Sequence, residues 1–92
     1  MHQVHDAPTW PPSGLGNPTV TGMSNGVRYA YFEGSHRLVV FDDAASRVYA
    51  TAGRRLEAFS VSDDGLLTFM LGPLRKRASS LRLVAESRPA FE

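Results

Sequence analysis

VRYAYFEGSHRLVVFDDAASRVYATAGRRLEAFSVSDDGLLTFML, residues 27–71, is the stretch that decides how this chain folds. Short runs rich in Val, Tyr, Phe and Thr alternate with clusters of Gly, Asp and Ser: EGSH, DDAAS, a lone Gly53 and SDDG. That alternation predicts strands joined by tight connections. In VRYAYF, Val27, Tyr29 and Tyr31 share one face, and Arg28, Ala30 and Phe32 share the other. In RLVVF, Leu38 and Val40 oppose Val39 and Phe41, so both faces are apolar. Such a strand belongs in the middle of a sheet, with each face covered by a helix of this chain or by a second chain.

On either side of this block the reading forks. Over 43–59, RVYATA and RLEAFSV read as two strands of a hairpin around Gly53. The alternative is a helix with Asp43 as N-cap and with Ala45, Val48, Ala52, Leu56 and Phe59 on one face. A mid-helix glycine costs about 1 kcal/mol relative to alanine, and Val48, Tyr49 and Thr51 favour extended backbone, so strands are preferred. Past Gly72, Pro73 suits the first position of a helix over 73–87, with Leu74, Ala78, Leu81 and Ala85 at helical spacing. Its rival is a strand, SLRLVAE, with Leu81 and Leu83 turned inward. Upstream, Pro8, Pro11, Pro12 and Pro18 mark 1–23 as an extended tail, although PTVTGM followed by Asn25-Gly26 can supply a short first strand. The expected fold is therefore mainly β, an antiparallel meander of about five to six strands with a C-terminal helix, in one domain over 24–92. The alternative is α+β, with the additional helix at 43–59.

The stretch FDDAASRVYATAGRRLEAFSVSDDGLLTF resembles one blade of a lactonase-type or YVTN-type β-propeller. The similar residues are Phe41, Asp42, Tyr49, Ala50, Thr51 and Leu56, followed by Phe59, Val61, Asp64, Gly65 and Leu66. The resemblance covers residues 41–69 and implies strands that pair through Asp-Gly turns. A propeller needs several such blades, and no second copy is present in the sequence. No catalytic or metal-binding residue carries over from that family.

Composition narrows the function classes. An apolar fraction of 42% with 21% charged residues is that of a folded globular chain, not a disordered one. There is no cysteine, so no disulfide scaffold. No apolar run approaches the ~18 residues that cross a membrane, and MHQVHDAPTWPP has neither the basic nor the apolar region of a secretory signal, so a cytoplasmic location is expected. A net charge of +1 gives no strong electrostatic footprint for nucleic acid.

Few residues carry candidate chemistry. His2, His5 and Asp6 have metal-ligand side chains without a supporting shell, so no metal site is expected. His36, in the EGSH turn, is a candidate contact at a pocket mouth. The pairs Asp42-Asp43 and Asp63-Asp64 sit where aspartates cap turns. No nucleophile, base and oxyanion donor assemble, and no phosphate-cradling glycine loop has the flanking elements it requires. The chain is read as non-catalytic and without a cofactor.

The expected function is a small binding domain that associates with itself or with another protein. Trp10, Tyr29, Tyr31, Tyr49 and Phe59 are the interface candidates, because aromatic residues are enriched at such surfaces. Two alternatives remain. The basic cluster Arg75, Lys76, Arg77 and Arg82 is a candidate nucleic-acid contact, since on a C-terminal helix Arg75, Ser79 and Arg82 would line one side and can track phosphates. A pocket near His36 can hold a small ligand or support a minor enzymatic activity.

Overall fold

A computed structural model of the chain describes residues 15–42 and 45–87. Eight strands form within them: β1 (Val20–Ser24), β2 (Val27–Phe32), β3 (Arg37–Phe41), β4 (Ser46–Ala50), β5 (Glu57–Val61), β6 (Leu67–Leu71), β7 (Leu74–Arg77) and β8 (Arg82–Ser87). A single 3₁₀ turn, Ala78–Ser80, precedes β8. The strands make two antiparallel sheets, one of five strands in the order β1-β2-β3-β4-β8 and one of three in the order β5-β6-β7.

Turn chemistry explains the pairing. Asn25 and Gly26 have φ of 50° and 79°, the two left-handed positions that a two-residue hairpin demands, and they join β1 to β2. After β5, Ser62 N donates to Leu66 O (2.9 Å), Gly65 sits at φ 84°, and the Ser62 hydroxyl donates to Asp64. That hydroxyl lowers the pKa of the Asp64 carboxyl. Between β3 and β4, Asp42 Oδ1 accepts from Ala45 N (2.9 Å).

RLVVF is central, as its doubly apolar pattern requires, and Leu38, Val39 and Val40 are all buried. The cover on one face is the second sheet of the same chain. Leu56, Leu67, Phe69 and Ala78 pack there against Val27, Tyr31, Leu38 and Tyr49. On the opposite face Ala30, Phe32 and Val39 are buried with Leu15 and Val48 against them. The Ser35 hydroxyl donates to the Leu15 carbonyl and ties this lead-in segment to the β2–β3 turn.

Several expectations need correction. No helix forms over 73–87. Gly72 at φ 62° followed by Pro73 makes a two-residue turn with glycine first, and Leu74–Arg77 then pairs back onto β6. A proline after a left-handed glycine reverses the chain here; it does not start a helix. SLRLVAE becomes the strand of the rival reading, yet only Leu81 packs against the core, while Leu83 is exposed. The alternative helix at 43–59 is replaced by β4 and β5 in its described part. These two strands do not form the expected hairpin, because β4 pairs with β3 and β8 whereas β5 pairs with β6. Ala52 (φ 57°) and Gly53 (φ 75°) turn the chain, and the next residues are drawn under the sheet. There the buried Tyr31 hydroxyl donates to Arg54 O (2.9 Å) and accepts from Leu56 N (3.2 Å). The 41–69 stretch that resembles a propeller blade is thus divided between two sheets. Val20–Ser24 belongs to the larger sheet, which therefore begins ahead of residue 24.

Gly22 has a specific reason to be glycine. Its partner across the sheet is Tyr29, and a Cβ at Gly22 would lie 2.3 Å from the Tyr29 hydroxyl oxygen. The Tyr29 ring lies over this bare backbone and stacks on Phe59, with centroids 5.2 Å apart. Gly22→Ala is expected to cost about 1–2 kcal/mol by displacing that ring, as overpacking does. Thermal unfolding checks it, and a substitution that raises the melting temperature would show that the ring moves aside freely.

Candidate functional site

The residues singled out in the sequence go to four different places. Tyr31 and Tyr49 are buried and Tyr29 is half-buried, all on the face of the larger sheet that meets the smaller one, and the half-buried Phe59 meets them from β5 of the smaller sheet. Phe59 is the hub, with ring centroids 5.2 Å from Tyr29, 5.6 Å from Tyr31 and 6.2 Å from Phe69. These four side chains are packed inside the chain; the period-2 pattern that assigns each to a face of its strand does not say whether that face meets solvent or a second sheet. Trp10, His2, His5, Asp6 and Asp43 lie outside the described residues.

The basic cluster is split. Arg75, Lys76 and Arg77 are exposed on β7, at the edge of the smaller sheet, where alternation sends Lys76 to the face opposite Arg75 and Arg77. Arg82 begins β8 in the larger sheet. The single basic stripe expected of a helix is therefore not formed.

Arg47, by contrast, is well partnered. Its Nε donates to Glu86 (2.9 Å) across the β4–β8 pair, and Nη1 lies 3.5 Å from Asp42. Burial works against its charge, but the Glu86 hydrogen bond and the Asp42 carboxylate outweigh it and hold the guanidinium pKa up. Tyr49 beside it has its pKa raised, mainly by burial. This network fixes β8 in place and is structural.

Four basic groups, Arg82 among them, converge on a groove of about 500 Å³. His36, Arg37, Arg54 and Arg82 line it, and among the described residues no carboxylate does. Register explains the arrangement. Arg37, Ala50 and Arg82 are successive partners on β3, β4 and β8, so two arginines flank one alanine in a single row across the sheet. With strands ~4.8 Å apart, their Cα atoms are about 10 Å from each other, and the small Ala50 leaves the space between them open. The turn that carries Arg54 closes one side. It is pinned by Thr51 N donating to His36 O (3.0 Å) and Arg54 N donating to Thr51 O (3.0 Å).

Two non-glycine residues lining this groove, His36 and Ala52, both have φ of 57°. Left-handed backbone at such residues costs about 1–3 kcal/mol each and clusters at functional sites. Thr51 is 1% exposed, and its hydroxyl is a buried side-chain group without a hydrogen-bond partner among the described residues. Of this group His36 and Arg82 stood out in the sequence, each for a different reason. The signal that was present, EGSHR, TAGRR and SSLR each ending at an arginine, has no meaning until register aligns the three segments.

Among the described residues no three His, Asp or Glu side chains come together as a metal site, and no helix is long and apolar enough to cross a membrane. No protein-family model, curated protein or solved structure matches this chain.

Proposed function

We propose that this chain is a non-catalytic interaction domain that self-associates by strand addition along β1. The observation that carries this reading is the contrast among the four outer edges of the two sheets. An open edge presents unpaired backbone groups to any extended chain, and proteins blunt such edges with charge, proline, short strands or bulges. β8 has a register shift opposite Val48/Tyr49 and bears Arg82 and Glu86. β5 has a shift between Glu57 and Ser60, with Ala58 at φ 52°. β7 is only four residues long, follows Pro73 and carries Arg75, Lys76 and Arg77. β1 has none of these features. VTGMS is uncharged, pairs with β2 in unbroken register, and exposes Met23 at 67%.

A second copy is the occupant that fits this edge. Antiparallel pairing about Gly22 sets Val20 opposite Ser24 and Thr21 opposite Met23 of the other copy, so no charges meet, and the five-stranded sheet continues across both chains. The aromatic set beneath β1 supports the strand from within and takes no part in the contact.

Light scattering behind a sizing column tests this reading. The expected mass is that of two chains, unchanged by salt because the edge is neutral. Thr21→Glu with Met23→Glu places like charges opposite each other across the pair, while the new carboxylate at 23 faces Arg28 within its own chain. The variant is expected to run as a folded monomer. A wild-type monomer, or a dimer that survives the double substitution, sinks the proposal.

A further inference from the structure

We propose that the groove at the ends of β3, β4 and β8 binds a small phosphate monoester. The phosphoryl group would be held among Arg37, Arg54 and Arg82, and the ester group would lie against Ala50, Ala52 and Leu81.

Charge is the first ground. The ion pairs of the described residues lie elsewhere, on Arg47 with Asp42 and Glu86 and on Arg55 with Glu57. Three guanidinium groups thus share one concavity with the His36 ring and, among the described residues, without an acid, and like charges so placed repel one another until an anion enters. Arginine presents its donors as a planar fork that matches phosphate oxygens, so a cluster of three selects a multiply charged oxyanion over a lone carboxylate.

The second ground is independent of charge. A buried hydroxyl left without a partner costs about 1–3 kcal/mol, and Thr51, one of the residues around this groove, carries one beneath its surface. A water beneath a bound phosphoryl group would supply the missing partner. Ser80 adds a second hydroxyl to the lining.

Size sets the class of ligand. A volume of about 500 Å³ falls within the range of small-molecule sites and exceeds what a bare anion fills. A nucleic-acid strand fits less well. The arginines converge instead of following a line, and His36 is the single ring among the described lining residues on which a base could stack. The groove lies at the β8 side of the larger sheet, away from β1, so pairing of two copies leaves it open in both.

The test is an amide-resolved NMR titration of the full chain with inorganic phosphate, phenyl phosphate and a single-stranded oligonucleotide. Saturable shifts are expected at Thr51, Ala52 and Leu81, with phenyl phosphate the tighter of the two small probes. Arg54→Gln with Arg82→Gln alters exposed side chains, retains the dispersed spectrum of a folded protein and is expected to weaken binding at least about tenfold. Arg75→Gln with Lys76→Gln, outside the groove, is expected to leave it unchanged. No saturation by about 10 mM of either small probe, tenfold above a ~1 mM dissociation constant, overturns the proposal. So does an equal loss in both double variants. An oligonucleotide that displaces phenyl phosphate and depends on Arg75 and Lys76 overturns it in favour of nucleic acid.

Discussion

Phe69→Ala is expected to lower the free energy of unfolding by about 3–5 kcal/mol. Phe69 lies on β6, the middle strand of the smaller sheet, and is 0% exposed. Its ring lies 6.2 Å from that of Phe59 on the neighbouring strand β5, and it belongs to the same buried cluster as Tyr31 and Leu38 of the larger sheet and Leu67. Truncation removes apolar area and leaves a cavity between two sheets whose backbones are held by their own ladders, so collapse into the hole is limited. A domain of this length has a total stability of only about 5–10 kcal/mol, so the variant should be marginally folded at room temperature. Phe59→Ala is the internal control. Its ring is half-buried, and its loss should cost roughly half as much. Chemical denaturation of both proteins decides the matter through the midpoints at equal m-value. If Phe59→Ala proves the more damaging, the core between the sheets is centred on the Phe59–Tyr29–Tyr31 contact and not on Phe69.

Tyr31→Phe removes one oxygen atom and is expected to cost about 2 kcal/mol, with little change in packing. The Tyr31 hydroxyl serves Arg54 O at 2.9 Å and Leu56 N at 3.2 Å, and it is the fixed point between β4 in one sheet and β5 in the other. Tyr31 is 1% exposed and Leu56 2%, so the freed N–H has no ready access to water. The loss should appear locally as well as globally. Hydrogen exchange at Leu56 is expected to speed up before that of β2 and β3, because the 52–56 segment loses its tether while the central strands keep their ladders. Uniform acceleration across the larger sheet would show that the hydroxyl stabilises the whole fold and not the crossing. Since Arg54 rides on this segment, the same substitution should also loosen one wall of the basic groove.

Both predictions rest on features that the sequence shows unevenly. The period-2 patterns of VRYAYF and RLVVF identify the central strands and assign Val27, Tyr29 and Tyr31 to one face, because side-chain alternation is a property of each strand by itself. Asn25-Gly26 and SDDG mark their turns for the same local reason. Gly72-Pro73 is equally local, yet it misleads: proline after glycine serves both as a helix start and as the second half of a tight turn, and only pairing onto β6 decides between them. The groove is less legible still. Its arginines at 37, 54 and 82 are far apart in the chain; the register of β3, β4 and β8 aligns Arg37 with Arg82, and the turn after β4 brings Arg54 to them.

By itself, the sequence determined that this is a β-rich chain with a doubly covered central strand, and it determined where several of the turns fall. Those are consequences of backbone preference and side-chain alternation over a few residues. The tertiary structure alone decided that β4 and β5 part company at Gly53 and that the cover of the central strand is a second sheet of the same chain. It decided too that the aromatic face is interior and that His36, Arg37, Arg54 and Arg82 share a groove. Each of these depends on which strands pair across long separations. That choice is made by the summed burial of both sheet faces, a quantity that no single segment carries.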